Sequence, residues 1–209
     1  MAADKQALCD WLGSLATTLV VDALDAESIA ARLDAALALS ADDFAMESLS
    51  IMRVVAESVS SASGFDTLRP GQFEDAETAN AASVLLAVGL AIAGGRADWI
   101  SRPQARAGRD RIASAGDAAL TVVSAMGADG VDLYMWLSAL TNIAVRLVSD
   151  QAADAVPVVR VETGISLPST FLAYQLYGDA GRAESLVEIA GVSTPMLMPS
   201  AFNALEKRC

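Results

Sequence analysis

Ala81-Ala-Ser-Val-Leu-Leu-Ala-Val-Gly-Leu-Ala-Ile-Ala-Gly94 is the most apolar stretch of the chain, and its reading decides the fold. A transmembrane helix needs roughly 20 apolar residues in succession, and this run falls short of that. Gly89, Gly94 and Gly95 suit either close packing against neighbouring helices or the end of a helix. The stretch reads as a buried core helix from about Glu74 to Ala93, stopped by Gly94-Gly95, in a soluble protein. The composition agrees: 54% of the 209 residues are hydrophobic but only 5% are aromatic, so the core is built from Ala, Leu and Val. Such residues favour closely packed helices.

Working towards the N-terminus, residues 64–73 carry Gly64, Pro70 and Gly71 and read as a loop. Before it, Ile51, Met52, Val55 and Val59 recur on one side of a helix opened by Ser40-Ala-Asp-Asp43, a near capping box. Asp25 is expected to cap the preceding helix, which buries Ile29, Leu33 and Leu37. A first helix, Asp4 to Ala23, turns Leu8, Trp11, Leu12, Leu15 and Leu19 inward.

On the C-terminal side, Ser101 and Pro103 open a helix that reaches about Met126, and residues 127–130 break it. A sixth helix presents Leu133, Trp136, Leu137, Leu140, Ala144 and Leu147. At Pro157 the texture changes. Val158-Val-Arg-Val-Glu-Thr163 is the convincing strand signal, and two short helices, about 169–177 and 181–189, follow. Residues 196–205 read either as a second strand or as a loop. The expected fold is mainly α: an Ala-rich helical bundle at 1–155 and a small α+β module at 156–209.

The chain carries a formal charge of −12 and no histidine. Residues 1–63 hold ten acidic and three basic side chains. Acidity of this kind repels a phosphate backbone and an anionic membrane surface alike, so neither nucleic acid nor a stable membrane span is expected. Without histidine the commonest general base is missing, and Ser-His and Cys-His nucleophile pairs are impossible. Asp42-Asp43 and Asp129/Asp132 sit where caps and loops want acids. The two lysines, Lys5 and Lys207, lie near the ends. Cys9 and Cys209 lack metal-ligand spacing and read as free thiols in a reducing compartment. The N-terminus lacks the basic and apolar runs of a signal peptide. No enzyme activity, cofactor or metal is expected.

Five of the 14 basic residues, Arg96, Arg102, Arg106, Arg109 and Arg111, crowd into one segment. Arg102, Arg106 and Arg109 fall on one helix face. They read either as a docking stripe for an acidic partner or as a solvated face that balances nearby acids.

In the C-terminal module, Phe171, Tyr174 and Tyr177 follow helical spacing and read as internal, with Leu172 and Leu176 beside them. Gly178 fits a left-handed helix end, Asp179 can cap the next helix, and Ala183, Leu186 and Val187 face back. The pattern Leu172-Ala-Tyr-x-Leu-Tyr-Gly-Asp179, followed by Arg182-Ala183 and Leu186-Val187, resembles the C-terminal end of the Mu-like phage tail proteins known as DNA circularisation proteins. The same hairpin occurs in LysM-like tail and baseplate modules, between two strands. Ala190 stands where that family has Asn. The resemblance implies a non-enzymatic structural component of a phage tail tip or baseplate, present in several copies in a symmetric assembly. It would reside in the virion after assembly in the host cytoplasm, and its partners would be other tail proteins. Its module-defining and docking residues would be Tyr174, Leu176, Tyr177, Gly178, Asp179 and Arg182. Alternatives are a LysM-type cell-wall binding module and a cytoplasmic tail-assembly chaperone.

Overall fold

Asp4 accepts hydrogen bonds from the backbone N–H groups of Gln6 and Ala7 and opens helix α1, Lys5–Leu19. The β-branched pair Val20-Val21 leaves the helix in extended conformation. Helix α2, Ala23–Ala36, begins earlier than the sequence suggests. Asp22, not Asp25, is its cap, with Oδ1 accepting from Leu24 N and Asp25 N at 2.8 and 3.1 Å. Helix α3, Ala41–Glu57, starts where expected. Ser40 accepts from Asp43 N and donates its hydroxyl proton to the Asp43 carboxylate at 2.7 Å, a variant of the capping box.

The computed structural model describes residues 3–206 of the chain. The protein divides into two compact units: residues 1–99 with 104–153, and residues 100–103 with 154–209.

In the first unit, α1, α2 and α3 pack on one another, and α1 and α3 also pack on helix α5, Ala76–Arg96. The expected loop at 64–73 contains a short helix, α4 (Ala62–Thr67), because Ser61 caps it through Gly64 N and Phe65 is driven wholly into the core. Helix α5 does not stop at Gly94-Gly95 but continues to Arg96. A Cβ at Gly94 would lie 2.4 Å from Ile112 Cδ1, and one at Gly89 2.6 Å from Met52 Sδ. These glycines are close-packing positions, the other of the two roles open to them. Helices α6 (Arg102–Ser124) and α7 (Val131–Asp154) complete the unit, separated by a 3₁₀ turn at Gly127–Gly130.

The buried stripe of α7 runs through Leu137, Thr141, Ala144, Val148 and Ala152. Trp136 and Leu147, expected inside, are exposed, and Leu133 and Leu140 are half-buried. The helix is rotated so that small residues, Thr141, Ala144 and Ala152, meet the core. Gly116 on α6 accommodates Thr141: a Cβ there would approach the threonine methyl to 2.4 Å. Two helical segments are long and apolar enough to cross a membrane, Ala76–Arg96 and Gly127–Asp154. Of their most apolar windows, 61% and 22% respectively are buried within the protein.

The second unit is built from strand β1 (Val158–Glu162), helices α8 (Ser169–Tyr177) and α9 (Ala183–Ala190), and strand β2 (Ala201–Leu205). Of the tail, residues 201–205 are therefore a strand, and 196–200 are the loop that leads into it. The strand pairs antiparallel with β1, Val158 opposite Leu205 and Glu162 opposite Ala201. Leu172, Ala173, Leu186, Met198, Phe202 and Ala204 form its own apolar core. The segment 100–103 belongs to this unit, and Ser101 forms a parallel bridge with Val156, two residues before β1. The fold is mainly α with a small α+β module.

Candidate functional site

The helix hairpin of the C-terminal unit is built from its turn outward. Gly178 ends α8 in the left-handed region (φ 75°), its N–H donating to Tyr174 O at 2.8 Å. A side chain at this φ is strained wherever space exists. Asp179 Oδ1 then accepts from Gly181 N at 2.8 Å. It opens a 3₁₀ turn, Ala180–Arg182, and not the expected helix directly, so α9 begins at Ala183.

Tyr177 is the centre of the arrangement. Its hydroxyl oxygen accepts a hydrogen bond from Leu205 N at 3.0 Å, which ties the last residue of β2 to the end of α8. The Arg182 guanidinium lies over its ring, 4.2 Å from the centroid. Burial pushes the phenol pKa up, against smaller opposing effects of the Leu205 N–H and the Arg182 charge. Leu176 is half-buried beside it.

Tyr174 departs from the sequence reading. Its side chain is 65% exposed and that of Phe171 is 53% exposed. The inward face of α8 is set by Leu172, Ala173 and Leu176, which rotates positions 171 and 174 out to solvent. Beyond the helix, Ile165, Met196 and Leu197 are also exposed. The loops that carry them are pinned together by Ser169 N to Pro195 O (2.8 Å) and Met198 N to Leu167 O (3.0 Å). The sequence offers no periodic signal for these loop residues.

The arginine-rich segment is largely engaged with its own protein. Arg96 donates to Glu57 O at 2.7 Å. Arg111 donates to Phe65 O and Leu68 O, pairs with Asp66, and lies over the Phe65 ring at 5.1 Å. Burial lowers its pKa. Arg102 Nη2 reaches Ala155 O at 3.5 Å, and Arg109 is paired with Asp110 at 2.5 Å. Of Arg102, Arg106 and Arg109, only Arg106 is exposed, and it has no ion-pair partner among the described residues.

Cys9 is buried, with its thiol directed at Leu33 O at 3.7 Å. Burial, with Asp10 and Asp34 nearby, raises its pKa and suppresses the thiolate. Cys209 and Lys207 lie outside the described residues. No group of three or more His, Cys, Asp or Glu side chains placed to hold a metal ion occurs among the described residues.

The first unit also carries an apolar groove of about 650 Å³ between α1, α3 and α5, lined by Leu8, Phe44, Leu49, Val84, Leu85 and Leu133. Lys5 stands at its edge, its ammonium 5.4 Å from the Phe44 ring centroid and donating to Leu39 O. Such a groove can take apolar side chains. No protein-family model matches the chain, and no curated protein is significantly similar to it.

Proposed function

We propose that the protein is a non-enzymatic structural component of a bacteriophage tail tip or baseplate, joining tail-tube and hub proteins through protein–protein contacts. The observation that carries this reading is the Tyr177-Gly178-Asp179 hairpin, whose sequence pattern resembles that of the tail proteins. Each residue of the pattern has a structural task in the turn: Gly178 as the helix end, Asp179 as the cap, and Tyr177 under Arg182 holding β2. The acidic charge and the absence of histidine fit a scaffold better than a DNA-joining or hydrolytic protein. Mass spectrometry of purified particles tests the reading. The protein is expected in finished virions, in several copies. Its presence in infected-cell lysate but absence from particles would instead identify an assembly chaperone.

Exposure of Phe171 and Tyr174 favours a second reading, a LysM-type module that binds cell-wall glycan, because exposed aromatic faces stack on sugar rings. Co-sedimentation of the full chain with insoluble peptidoglycan separates the two. Retention that is lost on replacing both Phe171 and Tyr174 by Ala would favour glycan binding over a purely structural role.

A further inference from the structure

Helix α7 has two faces of different kinds. Residues 133–145 contain no charged side chain, yet much of the apolar material points to solvent. Met135 is 58% exposed and Ile143 66%, with Val131, Trp136 and Leu147 exposed around them. At 100° per residue, positions 132, 136, 139, 143, 146 and 150 share one side of the helix, opposite the core stripe of Leu137, Thr141, Ala144 and Val148. Ala139, small and exposed, lies at the middle of this side. Asp132 and Arg146 bracket it at equal distance along the helix, and neither has an ion-pair partner among the described residues.

We propose that this face of α7 is the seam of an antiparallel homodimer whose two-fold axis passes at Ala139. A face that binds a second copy of itself must be self-complementary, and this register makes it so. Asp132 falls opposite Arg146 of the second copy, and Arg146 opposite its Asp132, two ion pairs at the edges of the contact. Trp136 meets Ile143 of the second copy, and Met135 meets its Asn142. Ala139 meets Ala139, which lets the two helices approach closely. The overlap from 131 to 147 spans roughly 25 Å of helix. A groove of about 300 Å³, lined by Ile92, Gly95, Leu140, Ile143 and Leu147, flanks the seam and gives the opposing Trp136 a place to pack.

A lipid surface is the competing occupant of an apolar face, and the same charges argue against it. Asp132, Arg146 and Asp150 lie on the middle of the exposed side, where hydrocarbon would have to take them in. In the antiparallel register Asp132 and Arg146 lie against one another. The dimer does not depend on whether the protein belongs to a phage tail.

Sedimentation of the full chain over a wide concentration range is expected to show a monomer–dimer equilibrium. Ile143→Asp, at an exposed position that leaves the core untouched, should raise the dissociation constant on the order of 100-fold. Asp132→Arg and Arg146→Asp should each weaken the dimer, roughly tenfold, and the double exchange should restore it. In a Cys209→Ser background, Ala139→Cys should cross-link into a disulfide dimer under mild oxidation, whereas Asp132→Cys should not. A monomer at every concentration, or a dimer indifferent to Ile143→Asp, would overturn the proposal. So would cross-linking through Asp132→Cys as well as Ala139→Cys, which marks a parallel arrangement. Binding of the monomeric chain to phosphatidylcholine vesicles, abolished by Ile143→Asp, would assign the face to a membrane instead.

Discussion

Tyr177 shows how one side chain joins the second unit. Its ring packs under Arg182 while its oxygen receives the N–H of Leu205, a residue at the far end of the unit's sequence. Tyr177→Phe keeps the ring and leaves that buried N–H without its acceptor, at a cost of about 1–3 kcal/mol at neutral pH. The pH dependence has a definite sign. An unfolded tyrosine ionises near pH 10, and burial raises the folded value. The unfolded chain therefore loses its proton first as pH rises. The contribution of Tyr177 is fully present below about pH 10 and declines as pH climbs through the folded value. Guanidinium unfolding at neutral and strongly alkaline pH should show the gap between wild type and Tyr177→Phe narrowing at the alkaline end. A gap that widens would mean the phenolate is favoured in the fold. The phenol's helical spacing is visible in the sequence, but its partner is not, because Leu205 lies 28 positions away and periodicity carries no information about such pairs.

At the scale of elements, the sequence is most readable where a local rule acts alone. Ser40 as a cap, the inward leucines of α1, and the limits of α8 at Ser169 and Tyr177 are each set by neighbours a turn or so away. It is least readable where two elements must agree. Gly94-Gly95 looks the same whether it ends a helix or lets one pass close by, and only the position of Ile112 on α6 distinguishes them. The face of α7 is deceptive for a similar reason. Trp136 and Leu147 are apolar, but a small-residue stripe fits the core at that place, and the apolar surplus is left outside. The two adjacent glycines give a direct test. Gly94→Ala forces a methyl against Ile112 and should destabilise by about 1–3 kcal/mol despite the gain in helix propensity. A Cβ at Gly95 meets only Leu147 Cδ2, at 2.9 Å on a side chain with solvent beside it. Gly95→Ala should be neutral or stabilising by up to about 1 kcal/mol. Thermal unfolding of both variants checks the ordering, and equal effects would contradict the packing role of Gly94.

For the whole molecule the dominant quantity is charge. A net −12, concentrated towards the N-terminus, works against the compact state through self-repulsion that salt screens. Raising the ionic strength from very low to physiological is expected to increase the unfolding temperature, by about 2–4 °C if screening is worth roughly 1 kcal/mol. A melting temperature that falls with added salt would show that the attractive pairs, such as Arg32 with Glu47 and Arg111 with Asp66, outweigh the repulsion. The same charge leads to the expectation of no gel shift with duplex DNA at physiological ionic strength. The division of the chain at about 155 is legible from the change of texture at Pro157. The contribution of residues 100–103 to the second unit is not, since those four residues have no signature apart from Pro103.

That short strap bears on how the second unit can be separated and inherited. Ser101 bridges to Val156, and Arg102 N donates to Val156 O at 3.1 Å, so the unit is assembled from two stretches of gene with α6 and α7 encoded between them. A single cut after residue 155 would separate Val156 from these partners and leave its backbone carbonyl unpaired ahead of β1. Transfer of this module by simple recombination would leave Val156 without the backbone partner that Ser101 and Arg102 supply.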